Sequence, residues 1–332
     1  MKKLFISMLA IAALASCAKE EVIVADQGEL IGFNSFVENA TRANDLTYGA
    51  QALTEFYVYG TVQGTGNGVV NIFAGDVVTG VVGEKETITD ENGDPIEVDK
   101  AWSCDVKQYW IAGAQYNFAA VVDVDKDSNN LPDGVDVDDN GMPETIAYTT
   151  ANQNDLLYAT ASATGQASGN GKVNFTFNHL LSKVQFTVKS NTTNGYHHNV
   201  TNIKVNNFEQ GTYTIADGSW VGTTAKDISL GDVKEVTAAN TTGKTNETQM
   251  LLVPTTNDFT VSFTVEIWNG TTKLGTQDYT KTVSQDLVAG NAYDFNLNLS
   301  VGELIEFTVT EDPEWNYDIN GNGNTADDII TL

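Results

Sequence analysis

The feature that most constrains the fold of this 332-residue chain is the alternation of apolar and polar residues in short runs separated by Gly, Asn and Asp. Residues 172–190 contain two such runs, on either side of Leu180 and Leu181. Their apolar members are Phe175 and Phe177 in the first run, and Val184, Phe186 and Val188 in the second. Because successive side chains of a β-strand point to opposite faces, each run places its apolar residues on one face. Many short strands of this kind predict an all-β sandwich or barrel.

Similar patterns predict further strands along the chain, and no segment after the N-terminal export signal has the periodicity of an amphipathic helix. The predicted strands cover residues 30–36, 55–62, 114–124, 200–208, 211–216, 248–254, 259–268, 276–283, 292–299 and 303–310. A Gly-, Ser- and Ala-rich stretch at 160–172 lacks apolar periodicity and is therefore the expected boundary between two domains. We predict an N-terminal β-sandwich at 29–166 and a C-terminal β-sandwich at 167–332.

The N-terminus has the form of an export signal, with a short basic segment followed by an apolar stretch at 4–14. That stretch is too short to span a bilayer as a helix. It ends in Leu14-Ala15-Ser16-Cys17, which resembles the bacterial lipobox, where signal peptidase II cuts before a lipidated Cys. We predict a lipoprotein signal peptide at 1–16, acyl chains such as palmitate on Cys17, and a tether at 17–28. An ordinary signal peptide with a chance Cys is the alternative.

The lipid anchor fits the cysteine count, because the chain contains only Cys17 and Cys104. A lipidated Cys17 leaves Cys104 without a partner for a disulfide in the mature chain. Each lipid methylene that enters the membrane contributes about 0.8 kcal/mol, so several acyl chains anchor the protein firmly. The next residues, 18–21, resemble the surface-export signal of some Gram-negative lipoproteins, although they also suit a plain charged tether. The expected location is the cell outer membrane, exposed at the surface.

The charge balance excludes one class of partner. Lys and Arg number 17 against 44 Asp and Glu, which gives a formal net charge of −27. Nucleic-acid binding requires clustered cations that neutralise phosphates, so no nucleic-acid partner is expected. The sequence also lacks a GxSxG motif and a phosphate-binding Gly-rich loop, and Cys104 has no neighbouring base. We therefore predict no catalytic residue and no enzymatic activity, with a glycosidase of dispersed carboxylates as the alternative.

An acidic stretch at 123–140 is the strongest candidate for a metal site. Oxygen-bearing side chains at alternate positions suit Ca²⁺, which takes about six to eight oxygen ligands. The candidate ligands are Asp123, Asp125, Asp127, Asn129, Asp133 and Asp136. Their spacing resembles the calcium loops of thrombospondin-type repeats, whereas a solvated acidic loop between two strands is the alternative. No cofactor is required, and calcium is the one that the sequence can accommodate.

A short internal repeat links the two ends of the chain. Residues 28–33 and 302–307 match at five of six positions, as GELIGF and GELIEF. If both segments are strands, the apolar residues at corresponding positions lie on the same face. The two segments can therefore occupy the same kind of groove. The candidate strand-exchange residues are Leu30, Ile31 and Phe33 in the first copy, and Leu304, Ile305 and Phe307 in the second.

Together these features resemble the fimbrillin-like (Mfa-like) lipoproteins, which are subunits and accessory components of type V pili in anaerobic Gram-negative bacteria. The segments that carry the resemblance are the lipobox at 14–17 and residues 31–43, 56–60, 102–121, 154–161 and 175–188. They span nearly the whole mature chain and match by order and spacing. The resemblance implies two tandem transthyretin-like antiparallel β-sandwich domains.

The resemblance also implies a mode of assembly. In polymerising members a surface protease cuts after an Arg in the early linker and removes the first strand, and the exposed groove accepts a strand of another subunit. Arg42, the only Arg of this chain, matches that position, although it can equally be an ordinary solvated residue. The implied function is therefore a surface-displayed pilus subunit or accessory component of the fimbrium. It would assemble by β-strand exchange and mediate adhesion to host or bacterial surface ligands.

Two observations leave alternatives open. A polar tail at 316–332 follows the proposed donor strand, which departs from a simple stalk subunit and favours an accessory or tip role. The chain could also be a surface glycan-binding lipoprotein of a nutrient-uptake system. A sugar platform for that role would be built from Trp102, Tyr109, Trp110, Tyr116 and Phe118, unless these aromatic residues pack in the sandwich instead.

Overall fold

The computed structural model describes residues 29–37, 55–64, 68–80, 85–89, 95–99, 102–122, 134–151, 153–166, 170–246, 249–300, 306–312 and 330–331. Within these ranges the chain forms 21 β-strands and no helix, so the predicted all-β class is confirmed. It follows that the same ranges contain no helix long and apolar enough to cross a membrane.

The strands are, in chain order, β1 (Gly32–Val37), β2 (Glu55–Gln63), β3 (Val69–Thr79), β4 (Lys85–Thr89), β5 (Pro95–Asp99), β6 (Ser103–Cys104), β7 (Gln115–Val122), β8 (Val135–Val137), β9 (Pro143–Thr149), β10 (Leu157–Thr164), β11 (Lys172–His179), β12 (Ser182–Ser190), β13 (Tyr196–Thr214), β14 (Ser219–Val236), β15 (Lys244–Thr245), β16 (Met250–Leu252), β17 (Phe259–Asn269), β18 (Thr272–Val283), β19 (Ala292–Leu299), β20 (Glu306–Asp312) and β21 (Ile330–Thr331).

The strands form three large sheets and one separate hairpin. The first sheet has the order β1-β11-β10-β7-β2-β3-β6. The second has the order β15-β12-β19-β20-β21, with β16 also paired to β12. In the third sheet, of order β18-β17-β13-β9-β8, β14 also pairs with β13, and β4 with β5 forms the hairpin.

Each half of the chain has its own apolar core. The first sheet curls round a core rich in aromatic rings, and a bridge between Phe33 and Trp102 brings β1 close to β6 at the opposite end of the sheet order. The second and third sheets pack face to face round another core, to which β12, β13, β17 and β19 contribute alternate residues. Burial of one large apolar side chain contributes roughly 1.5–3 kcal/mol, so these alternating faces dominate the stability of the fold.

The alternation at 172–190 is confirmed as two strands, β11 and β12, whose apolar residues are fully buried. The domain boundary at 166/167 stays a prediction, and strand pairing crosses it in both directions. β11 begins after that boundary but joins β10 and β1, whereas β9 precedes it but pairs with β13. The two halves of the chain are thus linked through their sheets as well as by the covalent connection.

Candidate functional site: the groove that holds the first strand

The segment at 29–37, which contains β1, has backbone hydrogen-bond partners on both of its sides. On one side β1 runs parallel to β11, from Gly32 opposite Lys172 to Val37 opposite Phe177. On the other side, the backbone N–H of Ile31 donates to the carbonyl of Gln108 at 2.8 Å, and the N–H of Trp110 donates to the carbonyl of Glu29 at 3.0 Å. The segment at 29–37 therefore lies in a groove between β11 and residues 108–110.

Phe33 is the side chain that holds this segment in the core. Its ring is only 1% exposed and lies among four other phenylalanine rings. The ring centroids of Phe73 and Phe175 lie 5.4 and 6.0 Å away, and those of Phe56 and Phe118 both lie 6.4 Å away. These are the separations at which aromatic pairs add about 0.5–1.5 kcal/mol beyond burial. Ile31 is buried on the same side, whereas Leu30 is 40% exposed.

A loop at 108–111 closes the groove round the start of the segment. The indole N–H of Trp110 donates to the carbonyl of Gly171 at 3.1 Å. The hydroxyl of Tyr116 accepts a hydrogen bond from the N–H of Ile111 at 2.7 Å and donates to the carbonyl of Tyr109 at 3.2 Å. Burial raises the pKa of Tyr116 further above neutral pH. The loop is thereby held in place by the core of the first sheet.

The aromatic residues considered as a sugar platform are mostly core residues. Trp102, Trp110, Tyr116 and Phe118 are all buried in the first sheet, where they contact other rings. A buried ring cannot stack against a glycan, so these four do not support the glycan-binding alternative. Cys104 is free and buried in the same core, and burial raises the pKa of its thiol. A buried thiol of raised pKa is a poor nucleophile.

The second copy of the repeat reaches a comparable aromatic environment. Phe307 on β20 is partly buried, and its ring centroid lies 6.2 Å from each of the rings of Phe186, Phe263 and Phe295. β20 pairs antiparallel with β19 from Glu306 opposite Asn298 onward. The other two residues of this candidate set, Leu304 and Ile305, lie outside the described residues.

A polar network fixes the far end of β20. Glu311 accepts hydrogen bonds from the side-chain amides of Asn291 at 2.6 Å and Gln285 at 2.9 Å. It also accepts one from the hydroxyl of Tyr293 at 3.2 Å, and that hydroxyl accepts from the N–H of Val288 at 2.8 Å. β20 is therefore bound to the C-terminal core by its backbone, by Phe307 and by Glu311.

Several predicted site residues lie outside the described residues, namely Cys17, Arg42, Asp123, Asp125, Asp127, Asn129 and Asp133. Asp136 is exposed on β8, where its carboxylate accepts a hydrogen bond from the hydroxyl of Thr145 at 3.3 Å. Among the residues that the structure describes, no three His, Cys, Asp or Glu side chains form a metal-binding group.

The three histidines have structural contacts. His179 Nδ1 lies 2.8 Å from a carboxylate oxygen of the buried Asp155. His198 Nδ1 lies 2.8 Å from the hydroxyl of Ser190, and burial lowers the pKa of His198. The ring of His197 stacks on Trp268. These separate contacts are those of structural residues.

Sequence reasoning missed two contributors to the groove. Phe73 lies in β3, whose register with β2 is broken by bulges near Val58 and Gly60, so its apolar residues do not alternate regularly. Gln108 contributes through its backbone carbonyl, for which no side-chain pattern exists. The continuous apolar run at 56–59 was the available signal for Phe56.

Comparison with known proteins gives one family. The profile of the fimbrillin-like family matches residues 41–313. A fimbrial protein of Bacteroides vulgatus has a similar fold, with a TM-score of 0.58 and 15% identity over 84% of this chain and 98% of that chain. A protein of Bacteroides uniformis, described in terms of cell adhesion, gives a TM-score of 0.51 and 18% identity over 86% and 98% of the two chains. No curated protein sequence matches the chain.

Proposed function

Since the chain belongs to the fimbrillin-like family, we propose that it is a surface-displayed subunit or accessory component of a pilus that assembles by exchange of its first strand and takes part in adhesion. The coarser part of this function, association with a fimbrium, follows from the family and from the fimbrial neighbour of similar fold. The family consists of structural and adhesive proteins, in agreement with the prediction that the chain is not an enzyme.

The observation that carries the proposal is that the segment at 29–37 has hydrogen-bond partners on both edges and its central ring in the core. Loss of this segment would free the backbone groups of β11 and of residues 108–110 and would open the phenylalanine pocket. Unpaired backbone groups next to an empty apolar pocket favour addition of another strand. Backbone hydrogen bonds would supply affinity, and the pocket would select the side chain.

The groove sets requirements for a replacing strand. It takes apolar side chains two residues apart, as at Ile31 and Phe33. A Cβ atom at Gly32 would lie 3.3 Å from Cγ of Lys172, so a larger residue there requires the lysine side chain to shift by a few tenths of an ångström. The C-terminal segment at 303–309 of another copy offers the same apolar spacing in Ile305 and Phe307. Its donation would require β20 to leave its own sandwich.

The decisive experiment removes the first strand without touching the C-terminal core. We would compare the chain beginning at residue 43 with the longer chain beginning at residue 18, and follow multimers that resist SDS. The truncated chain is expected to polymerise, and a synthetic peptide of residues 29–37 is expected to block this by occupying the groove. A peptide with Phe33→Asp serves as the matched control and should not block. Absence of polymers in the truncated chain, or equal inhibition by both peptides, would overturn strand exchange.

The proposed lipid on Cys17 has a consequence for assembly. If the chain is cut after Arg42, the lipid leaves with residues 17–42, whereas an uncut chain stays fixed to the outer membrane. Palmitate labelling of cells that express the protein tests this directly. Label is expected on the intact chain, none on a Cys17→Ser variant, and none on the large fragment after trypsin-type cleavage at Arg42. Label on the Cys17→Ser variant would contradict the anchor.

Calcium binding by the acidic stretch is a separate proposal, supported by the spacing of its oxygen ligands. Isothermal titration of Ca²⁺ into the mature chain is expected to give a saturable heat. The heat should be lost when Asp125 and Asp127 are both changed to Asn. No heat at roughly millimolar Ca²⁺, the weak end of protein calcium sites, would remove the proposal.

A further inference from the structure

Strand β9 connects the two halves of the chain in an unusual direction. In the sequence it comes after β7 and before β10, which both belong to the first sheet. It nevertheless pairs with the far half of β13, from Gln210 opposite Thr149 to Thr214 opposite Thr145. Backbone hydrogen bonds extend this pairing at both ends. The N–H of Thr150 donates to the carbonyl of Glu209 at 2.9 Å, and the N–H of Ile215 donates to that of Glu144 at 3.0 Å.

The end of the β13–β14 hairpin is directed at the junction between the sheets. We define the hairpin tip as residues 208–220. Within it, the indole N–H of Trp220 donates to the carbonyl of Leu180 at 2.9 Å, and Leu180 is the first residue of the link between β11 and β12. The rings of Trp220 and Tyr213 lie 5.4 Å apart. A side chain at Gly211 would meet the Trp220 ring at 3.0 Å, so the indole is packed onto the hairpin backbone.

The outer face of the first sheet is shielded from solvent where the hairpin tip and β9 pack against it. Tyr57, Tyr59, Ala119 and Val121 lie on the face opposite to the aromatic core, and all four are buried. They belong to a third apolar cluster that also contains Ile146 and Tyr148 of β9. Leu180 and Leu181 of the β11–β12 link and Leu251 of β16 complete this part of the cluster. Phe208, Tyr213, Ile215 and Trp220 of the hairpin tip pack against this cluster.

We propose that the hairpin tip and β9 form a brace that joins the first sheet to the C-terminal sandwich as one rigid unit, with Trp220 as its central contact. Domains joined by small, polar interfaces move relative to each other, whereas an apolar interface of core quality resists such motion. The third cluster has that quality, and it is reinforced by β9, which extends the third sheet with a strand from the first half of the chain. The brace does not depend on the proposed pilus function.

The test compares two tryptophan substitutions in the same sheet. Trp220→Ala removes the central contact of the brace, and Trp268→Ala removes a half-buried indole at the distant β17–β18 hairpin, where it bonds to Glu266. Hydrogen exchange is expected to rise at least about tenfold at 143–149 and 208–220 in Trp220→Ala, with no change in β1 or β17. Small-angle scattering should report a larger radius of gyration for that variant alone.

A third variant keeps the test decisive if Trp220→Ala does not fold. Trp220→Phe retains an aromatic ring but loses the indole donor to Leu180, so exchange at 180–182 and at the hairpin tip is expected to rise by about threefold to tenfold. Unchanged exchange in Trp220→Ala and Trp220→Phe, or an equal effect of Trp268→Ala at 143–149, would overturn the brace.

Discussion

At the scale of single residues, Phe33 has the largest expected effect on stability in the first sheet. Phe33→Ala leaves a cavity among four rings and should lower the free energy of unfolding by about 3–5 kcal/mol. Leu30→Ala on the same segment is the matched control, because that side chain is 40% exposed. It should change stability by no more than about 0.5 kcal/mol. Urea unfolding of both variants measures the difference, and similar values for the two would contradict the described packing.

Asp294 gives the pH dependence of stability a defined component. Its carboxyl group is buried between β12 and β20, and burial raises its pKa to about 6, while a hydrogen bond from Thr187 acts in the opposite direction. Between about pH 4 and pH 6, the carboxyl group therefore keeps its proton in the folded state but has released it in the unfolded chain. The stability from this group is present below about pH 4 and is lost as the pH rises through about 6.

Replacing the carboxyl group of Asp294 tests the direction of this pH dependence of stability. The free energy of unfolding of Asp294→Asn relative to wild type should rise by about 2–3 kcal/mol between about pH 4 and pH 7, because the amide carries no charge to bury. Asp278→Asn, at an exposed carboxylate that accepts from Thr264, serves as the control. Urea unfolding at several pH values provides the measurement. A difference that falls with pH would show that Asp294 is ionised in the fold.

At the scale of elements, β20 is the strand whose detachment the proposed exchange requires. Glu311 accepts three hydrogen bonds that connect the end of β20 to Tyr293, Asn291 and Gln285. Glu311→Ala leaves these donors without their acceptor and should lower the free energy of unfolding by about 1–3 kcal/mol. It should also speed polymer formation by the chain that begins at residue 43, since β20 is released more easily. Slower polymerisation at unchanged folding would argue against β20 as the donor.

The sequence predicted strands well in three cases where large apolar residues of one strand face one core throughout. β11, β12 and β17 alternate regularly, and their bounds lie within one or two residues of the predicted ones. β13 was predicted as two strands because its apolar residues change partner along its length. Val200 and Val205 face the C-terminal core, whereas Phe208 and Tyr213 face the third cluster. Bulges between residues 198 and 204 also shift the register.

The groove was harder to predict than the strands. The repeat at 28–33 pointed to Ile31 and Phe33, whose burial agrees with an inward-facing pair. Their partners, β11 and the loop at 108–111, lie far away in sequence and bind the first segment through backbone atoms. Local patterns carry no information on such pairings. For the same reason the pairing of β9 with β13 across the predicted boundary was not foreseen.

At the scale of the whole molecule, net charge opposes self-association. Each chain carries a formal charge of −27, so two copies repel each other while they approach. The described ion pairs are few and lie mostly at the surface, as between Lys273 and Glu266. They do not reduce this net repulsion. Assembly by strand exchange must therefore overcome a barrier that depends on ionic strength.

Added salt should consequently speed polymerisation of the chain that begins at residue 43. The Debye length falls from roughly 20 Å at about 20 mM salt to roughly 4 Å at about 500 mM, and repulsion between exposed charges falls with it. We expect the polymerisation rate to rise by at least about tenfold over that range. CaCl₂ matched in ionic strength to NaCl, applied to the chain with and without the Asp125→Asn and Asp127→Asn changes, separates screening from binding, because an extra effect of calcium that these changes remove comes from the acidic stretch. A rate that does not change with either salt would mean that release of β20, and not encounter between chains, limits assembly.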